Sequence, residues 1–237
     1  MNDAGDLRRL NDEVVECRRC PRLVAWREEV ARTKRAAYAD DEYWGRPVPS
    51  FGDPDAIILI VGLAPGAHGA NRTGRMFTGD RSGEWLYGAL HRAGLANRAE
   101  SVWRDDGLEL FGAWLTAAVR CVPPANKPSS AERETCRPFL AREIELLNRV
   151  RTIVTLGGIG WDATLRTLRD LGYDVPVPKP RFGHGAEVKI GAGVTEPARA
   201  ALTLIGSYHP SQQNTFTGRL TREMFDAVWT RAVELSG

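Results

Sequence analysis

Apolar positions follow two different spacings along the chain. Short, continuous apolar runs bounded by glycine, proline or polar residues predict buried β-strands, and they occupy residues 57–61, 114–119, 152–156 and 201–207. Longer segments with apolar residues three and four positions apart predict helices, and they occupy residues 83–93, 130–150, 159–171 and 219–235. This alternation predicts an α/β fold in which helices cover both faces of a mainly parallel sheet.

The bulk composition is that of a globular protein. Its 237 residues are 43% hydrophobic and 26% charged, and a chain of this length suits one domain spanning residues 1–237. No apolar run approaches the roughly 20 residues that cross a bilayer, and residues 1–20 lack the apolar centre of a secretory signal. We therefore expect a cytoplasmic monomer with no membrane association.

Unusual residues follow the predicted strands. The segments are GLAPGAHG from residue 62, RCVPPANK from residue 120, GGIGW from residue 157 and YHPSQQN from residue 208. Because ligands of parallel sheets bind beyond the carboxyl ends of the strands, we expect one composite site at this edge. The glycines of the first segment let backbone amides approach a ligand, but its first five residues offer no acid, base or nucleophile.

Three familiar site types fit the strand-end residues poorly. Gly158-x-Gly160-x-x-Ala163 resembles a dinucleotide fingerprint, but no acidic residue follows at the distance that would bind a ribose, so a tight strand-to-helix turn explains it better. Ser207 and Ser211 flank a histidine but lack the G-x-S-x-G elbow of a serine hydrolase. The paired motifs of a zinc deaminase are absent from the sequence.

The cysteines have the spacing of a metal or cluster site. They are Cys17, Cys20, Cys121 and Cys136. Without a secretory signal a disulfide framework is not favoured, and four thiolates suit zinc or an iron-sulfur cluster. Pro21 directly after Cys20 favours the iron-sulfur interpretation. From the residues alone the two metals stay nearly even, and buried cysteines without a ligand are a third interpretation.

A basic segment surrounds the first two cysteines. Between Cys17 and Arg35 the chain has seven basic and two acidic residues. Such a segment suits a phosphate backbone, and its alternative is the solvated face of a helix.

Several of these features together resemble one family. The four cysteines, GLAPGAHGANRTGRMFTGD after the first strand and YHPS after the fourth resemble the iron-sulfur branch of the uracil-DNA glycosylase superfamily. Within it, GLAPGAHG, AAVRCVPPANKP and QNTFTGRLTREMF are similar to the type-b, or family 5, enzymes. The resemblance extends from Cys17 to about Trp229, nearly the whole chain.

The resemblance implies a fold, an activity, a cofactor and a partner. The implied fold is a three-layer α/β/α sandwich around a central four-stranded, mainly parallel sheet. The implied activity is that of a monofunctional DNA glycosylase in base-excision repair, which hydrolyses the N-glycosidic bond of uracil and leaves an abasic site. A [4Fe-4S] cluster held by the four cysteines is implied, and so is double-stranded DNA as partner, with single-stranded DNA as a second form.

The resemblance also assigns roles to single residues. His209 is expected to donate a hydrogen bond toward the leaving base as negative charge develops. Phe77 matches the aromatic residue that stacks on the extruded base, with a core anchor for the loop as the alternative. Main-chain groups of the first loop are expected close to the base and the scissile bond, namely those of Gly62, Ala64, Pro65 and Gly66.

Two departures from the family 4 pattern raise questions about mechanism and specificity. Leu63 replaces the acidic residue that activates water, and Ala117 replaces the asparagine that binds the uracil edge. The type-b resemblance nominates Asp80 and Asn126 as the polar catalytic residues, whereas a helix cap and the PPAN turn are their alternatives. The missing asparagine predicts excision of hypoxanthine, 5-hydroxymethyluracil and mismatched thymine as well.

Residues 211–216 follow His209, where the superfamily inserts a wedge into the DNA stack. Two competing interpretations stay open at the level of sequence. One is an iron-sulfur protein that transfers electrons or senses redox state, and the other is a DNA-binding module without catalysis.

Overall fold

A six-stranded sheet lies at the centre of the structure, a computed structural model that describes residues 3–193 and 200–237. The strands are β1 (Phe51–Gly52), β2 (Ile58–Gly62), β3 (Ala113–Ala117), β4 (Thr152–Leu156), β5 (Glu187–Ile190) and β6 (Leu202–Ser207). Their spatial order is β1-β3-β2-β4-β6-β5. The central four, β3, β2, β4 and β6, are parallel, whereas β1 and β5 pair antiparallel at the two edges.

Helices cover both faces of this sheet. They are α1 (Asp3–Val15), α2 (Pro21–Thr33), α3 (Ala70–Thr73), α4 (Arg81–Arg92), α5 (Ser130–Leu146), α6 (Gly158–Asp170), α7 (Gln212–Phe216) and α8 (Arg222–Ser236). Helices α4 and α8 pack together on one face, and α1, α5 and α6 form a layer on the other. The predicted three-layer α/β/α arrangement is confirmed.

Alternating side chains of β2 build the two cores. Ile58 and Ile60 are fully buried on the face covered by α4 and α8, and Leu59 and Val61 on the face covered by α5 and α6. A central parallel strand buried on both faces has the continuous apolar sequence that predicted it.

The four predicted strands and four predicted helices are all present, with ends shifted by a few residues; α5 stops four residues early. The prediction of four strands missed the two edges. The sequence of β5 is Glu-Val-Lys-Ile and only Ile190 is buried, so no apolar run marks it. It lies within residues 175–200, whose Pro/Gly-rich sequence predicts a long loop with a small hairpin, and residues 194–199 of this stretch lie outside the described residues.

Within the described ranges, no helix combines the length and apolar character needed to cross a membrane. The cytoplasmic location and the monomeric state stay predictions.

Candidate active site

Two aromatic rings meet where β2 and β6 end. The ring centroids of Phe77 and His209 are 5.6 Å apart, with 30° between the planes. Gly62 ends β2 beside the Phe77 ring, and a Cβ atom there would lie 2.9 Å from Phe77 Cε2. Strand register pairs Gly62 with Ala117 at the end of β3, where Ala117 is buried. The structure therefore brings these four predicted site residues together.

The backbone of Phe77 is held in an unfavourable conformation. Its φ angle is 52°, in the left-handed region that bulky residues rarely adopt. A Cβ atom at Gly83 would clash with the Phe77 carbonyl oxygen, so α4 can approach this turn only with glycine there. The hydroxyl of Tyr87 donates to the carbonyl of Met76 at 2.8 Å and fixes the other side of the turn. Strain maintained by surrounding contacts is typical of functional sites.

Arg75 is the main support of this turn. It is buried, and its guanidinium forms a two-pronged ion pair with Asp106 at 2.8 and 2.9 Å. It also donates to the hydroxyls of Thr78 and Ser101 at 2.9 and 3.0 Å. Burial by itself raises the pKa of Asp106, but Arg75 and three backbone amides hold that pKa well below its usual range. The ion pair thus stays charged and keeps the turn before Phe77 in place.

Arg72 ties the glycine-rich loop to its surroundings. It is buried, and it donates to the carbonyls of His68 at 2.7 Å and Gly79 at 2.9 Å. Its other nitrogen pairs with Asp41 at 2.6 Å, and its guanidinium stacks on Tyr38 at 4.0 Å from the ring centre. Neither Arg72 nor Arg75 was predicted as a site residue, because nothing in the segment ANRTGR distinguishes a buried arginine from an exposed one.

Asp80 has one carboxylate oxygen in a structural role and one at the glycine-rich loop. Oδ1 accepts from the backbone nitrogen of Gly83 at 2.9 Å and caps α4. Oδ2 faces the loop: a Cβ atom on Gly66 would lie 3.1 Å from it, and one on Gly69 would clash with it. Burial raises the pKa of this carboxyl group. The alternative role of Asp80 as a helix cap is confirmed, and its second oxygen lies beside the glycine-rich loop.

His209 is partly buried, and burial depresses the pKa of its side chain. Burial lowers the pKa of its imidazole to about 4, and its Nδ1 is buried with no hydrogen-bond partner among the described residues. Asn214 donates to its carbonyl at 2.9 Å. The preceding residue, Tyr208, is fixed by its backbone nitrogen, which donates to Nδ1 of His184 at 3.2 Å. An imidazole held in this way can present a neutral N–H to a ligand.

Asn126 belongs to a short turn after β3. It ends the turn Pro124–Asn126, is exposed, has a φ of 55°, and its backbone nitrogen donates to Pro123 at 3.2 Å. No hydrogen bond within residues 3–193 and 200–237 connects its side chain with the other predicted site residues. The alternative reading as a turn residue agrees with this geometry, since asparagine tolerates a positive φ.

The four cysteines face one small cavity. Cys17, Cys20, Cys121 and Cys136 line it together with mainly apolar side chains. None forms a disulfide, as expected. Two sulfur atoms accept hydrogen bonds, Cys121 from the Arg27 guanidinium at 3.1 Å and Cys136 from the Arg120 backbone nitrogen at 3.3 Å.

This cavity adjoins the glycine-rich loop. Ala64 packs against the cysteines with Leu23 and Val119, and the next residue, Pro65, is buried. No group of three or more His, Cys, Asp or Glu side chains in the described part of the chain is arranged to hold a metal ion.

Comparison with known proteins gives the family. The sequence profile of the Uracil DNA glycosylase superfamily matches residues 49–232. The chain belongs to the uracil DNA glycosylase superfamily. It is 54% identical over 235 residues to the Type-5 uracil-DNA glycosylase of Mycobacterium bovis, covering 99% of this chain and 83% of that protein.

Two more distant organisms have relatives with the same description. The Type-5 uracil-DNA glycosylase of Thermus thermophilus is 51% identical over 224 residues, covering 94% of this chain and 95% of that protein. That of Pyrobaculum aerophilum is 44% identical over 226 residues, covering 95% and 92%. The resemblance found in the sequence motifs is confirmed.

Several arginines in the basic segment of this superfamily member form ion pairs with glutamates. Arg22 binds Glu132 through two nitrogen atoms at 2.6 and 2.7 Å, and Arg18 and Arg32 pair with the neighbouring glutamates Glu28 and Glu29. Arg27 is only 2% exposed. Arg27 therefore belongs neither to a phosphate-binding surface nor to a solvated helix face, because its guanidinium turns inward to a cysteine.

A second surface beside the site combines an exposed aromatic ring with arginines. Phe216, at the end of α7, is 66% exposed. The guanidinium of Arg81, the first residue of α4, stacks 5.1 Å from its ring centre. Arg219 stacks 4.6 Å from the ring of Tyr208, next to His209. In a uracil DNA glycosylase, such a group suits contact with stacked bases and phosphates.

Proposed function

We propose that the protein is a type-5 uracil-DNA glycosylase, which hydrolyses the N-glycosidic bond of uracil in DNA and leaves an abasic site. The observation that carries the proposal is the Phe77–His209 pair, with Asp80 Oδ2 at the adjoining glycine-rich loop. The names and coverage of the relatives support the same activity.

The aromatic pair suits a base taken out of the DNA stack. Excision requires the nucleotide to be extruded into a pocket and held by stacking and hydrogen bonds. We assign stacking to Phe77, whose strained backbone and clamped turn fix its ring before any base arrives. Gly62 lets that ring lie directly against the end of β2, and Ala117 is its small partner at the end of β3.

His209 is proposed to stabilise the leaving base. As the glycosidic bond breaks, negative charge develops on the pyrimidine, and a donor already aimed at that charge lowers the barrier. A neutral imidazole remains a donor without needing a proton from solvent, and burial keeps His209 neutral above about pH 4.

Asp80 is proposed to position the attacking water. Leu63 stands where family 4 enzymes have an acidic residue, so this task falls to another group. Asp80 Oδ2 faces the backbone of Gly66 and Gly69, close to the same loop. A raised pKa makes a carboxylate a better proton acceptor for water. We keep Asn126 as a second polar candidate for positioning the water. For that role, the bound DNA strand would have to extend to Asn126.

Breadth of substrate is proposed to follow from Ala117. A buried methyl group beside Gly62 offers no hydrogen bond to a base edge. Sites that bind a polar edge with an amide reject other bases strongly, and an apolar wall discriminates much less. We therefore expect hypoxanthine, 5-hydroxymethyluracil and mismatched thymine to be excised too.

Phe216 is proposed to fill the gap left in the stack. It belongs to residues 211–216, where a wedge was expected, and it is the exposed aromatic residue of that segment. An inserted apolar side chain offsets part of the cost of extruding a base from double-stranded DNA.

The cysteines are proposed to hold a [4Fe-4S] cluster. Each thiolate of such a cluster binds one of its irons. Four cysteines line one cavity here, and Pro21 directly after Cys20 favours a cluster over zinc. When bound, the cluster would supply a covalent cross-link between the start of α2, the loop after β3 and α5.

Elemental analysis of protein purified without air tests the cluster. We expect iron and a broad visible band, and Cys121→Ser should lose both together with solubility, because the cross-link stabilises the fold. Stoichiometric zinc without iron would contradict the cluster.

Single-turnover excision from a duplex with one central uracil tests the activity. The control is His209→Ala purified in parallel, in which loss of the donor should slow excision by about 10²- to 10³-fold while duplex binding is nearly unchanged. Binding without excision by the wild type would favour a DNA-binding module. If the wild type neither binds the DNA nor excises the base and its cluster is easily reduced, the result would favour a redox protein.

A further inference from the structure

Arg27 is a buried cation without a strong acidic partner. The residue is only 2% exposed. Among the described residues its one ion-pair partner is Glu28, which lies 3.8 Å away and is itself solvent-exposed. Burying a charge is costly unless an opposite charge compensates it. A compensating negative charge is therefore expected near the guanidinium group of Arg27.

That direction is the cysteine cavity. Arg27 Nη1 lies 3.1 Å from Cys121 Sγ and 3.1 Å from the carbonyl oxygen of Cys17. Four thiolates around a [4Fe-4S] core carry a net negative charge, so an occupied site supplies the missing anion. A donor to a ligand sulfur is also the kind of outer contact that fixes a ligand's orientation.

The backbone of Arg27 contacts the active-site loop. Its carbonyl accepts a hydrogen bond from Asn71 Nδ2 at 3.3 Å. Asn71 is fully buried, and its backbone nitrogen donates to the carbonyl of Gly66 at 3.0 Å. Gly66 in turn faces Asp80 Oδ2. Hydrogen bonds at Arg27 and Asn71 therefore connect Cys121 to Gly66, beside which the Asp80 carboxylate lies.

We propose that Arg27 and Asn71 are positioning residues that couple the occupied cysteine site to the conformation of residues 66–80. Arg27 stabilises the cluster through its side chain and holds Asn71 through its carbonyl. Asn71 passes that constraint to Gly66. The inference rests on the proposed [4Fe-4S] cluster, and it gives the cluster a role at the active site beyond cross-linking.

The test compares Arg27→Gln, Arg27→Lys and Asn71→Ala with wild type and with Arg32→Gln, an exposed arginine of the same helix. Two readouts are measured, the rate at which a chelator removes the visible absorbance and hydrogen exchange in peptides covering residues 62–83. A peptide covering residues 221–236 reports on global unfolding. Neither readout depends on base excision.

Arg27→Gln should lose the visible absorbance about tenfold faster or more and exchange faster in residues 62–83, with residues 221–236 unchanged. Arg27→Lys should recover part of the cluster stability because it keeps the charge. Asn71→Ala should speed exchange in residues 62–83 while absorbance is lost at the wild-type rate. Arg32→Gln should match wild type in both.

Three results would overturn the coupling alone: absorbance loss in Arg27→Gln equal to that in Arg32→Gln, unchanged exchange at 62–83 in Asn71→Ala, or faster exchange everywhere. Wild-type protein that binds no iron would overturn the proposed cluster and the coupling together.

Discussion

The Phe77 ring lies over a strand end that has no side chain, because a Cβ on Gly62 would come within 2.9 Å of Phe77 Cε2 and 3.2 Å of Cζ. Phe77 in turn lies 5.6 Å from His209, centroid to centroid. The position of the ring proposed to stack on a base is thus determined by a residue that contributes only its backbone.

Gly62→Ala should therefore displace the Phe77 ring and slow excision. Stacking of a base on an aromatic ring is worth about 1–3 kcal/mol, so we expect about a 10- to 100-fold lower single-turnover rate, similar to that of Phe77→Ala. The matched control is Gly5→Ala in α1, where the nearest atom to an added Cβ, Arg9 Nη1, lies 3.8 Å away. A Gly62→Ala enzyme with wild-type rate and stability would show that the ring does not need this position.

Substitutions at Asp80 can separate its two roles. Asp80→Asn keeps an oxygen that caps α4, so the free energy of unfolding should be nearly unchanged while the excision rate falls. Asp80→Ala should lose the rate and also about 1 kcal/mol of stability with the cap. Thermal unfolding and single-turnover rates measure the two effects. Full activity in Asp80→Asn would mean that the carboxylate only caps the helix.

The depressed pKa of His209 predicts a pH effect on stability. Its folded pKa is about 4, whereas the unfolded side chain titrates near 6.5. Between these values the unfolded chain binds a proton that the folded chain does not, so stability falls as pH drops from about 6.5 toward 4. Burial also lowers the pKa of His68 and His184, which act in the same sense.

The contribution of His209 is therefore measured as the difference between wild type and a His209 variant in how much stability is lost at lower pH. Urea unfolding at pH 7 and pH 5 should show a smaller loss of stability in His209→Gln than in wild type, by about 1–2 kcal/mol. Equal losses in the two proteins would mean that His209 titrates normally in the fold.

Phe216→Ala should slow excision from double-stranded DNA more than from single-stranded DNA, because only a duplex leaves a gap to fill. We expect roughly a tenfold larger effect on the duplex. The control substitution is Phe111→Ala. Phe111 is also exposed, but it precedes β3 and so lies at the amino ends of the strands, away from the site at their carboxyl ends. Equal losses on both substrates would assign Phe216 to general DNA binding.

Ala117→Asn should narrow the range of bases. A new amide at the end of β3 can bind the uracil edge, so excision of hypoxanthine and 5-hydroxymethyluracil should fall relative to uracil by at least tenfold. Ala117→Leu fills similar space without an amide and controls for crowding. Rates from matched duplexes with each base decide the matter. A wild type strictly specific for uracil, or equal losses in both variants, would place selectivity elsewhere.

The sequence by itself determined the central sheet, its covering helices, the edge at which the site lies and the family. Each of these leaves a local signal: a buried strand is continuously apolar, an amphipathic helix repeats every three to four residues, and motifs such as GLAPGAHG and YHPS are contiguous. The role of Asp80 as a cap was also predictable, because capping involves residues three positions apart.

Tertiary structure alone decided the rest. Whether Arg27, Arg72 and Arg75 are buried depends on partners distant in sequence, such as Cys121 and Asp106. The local sequence around an arginine does not show whether such a partner exists. The same holds for the left-handed backbone of Phe77 and for the edge strand β5. Their local sequences do not favour these conformations, and contacts within the packed fold stabilise them. The geometry of the site is thus set by long-range contacts, whereas its chemistry is visible in short motifs.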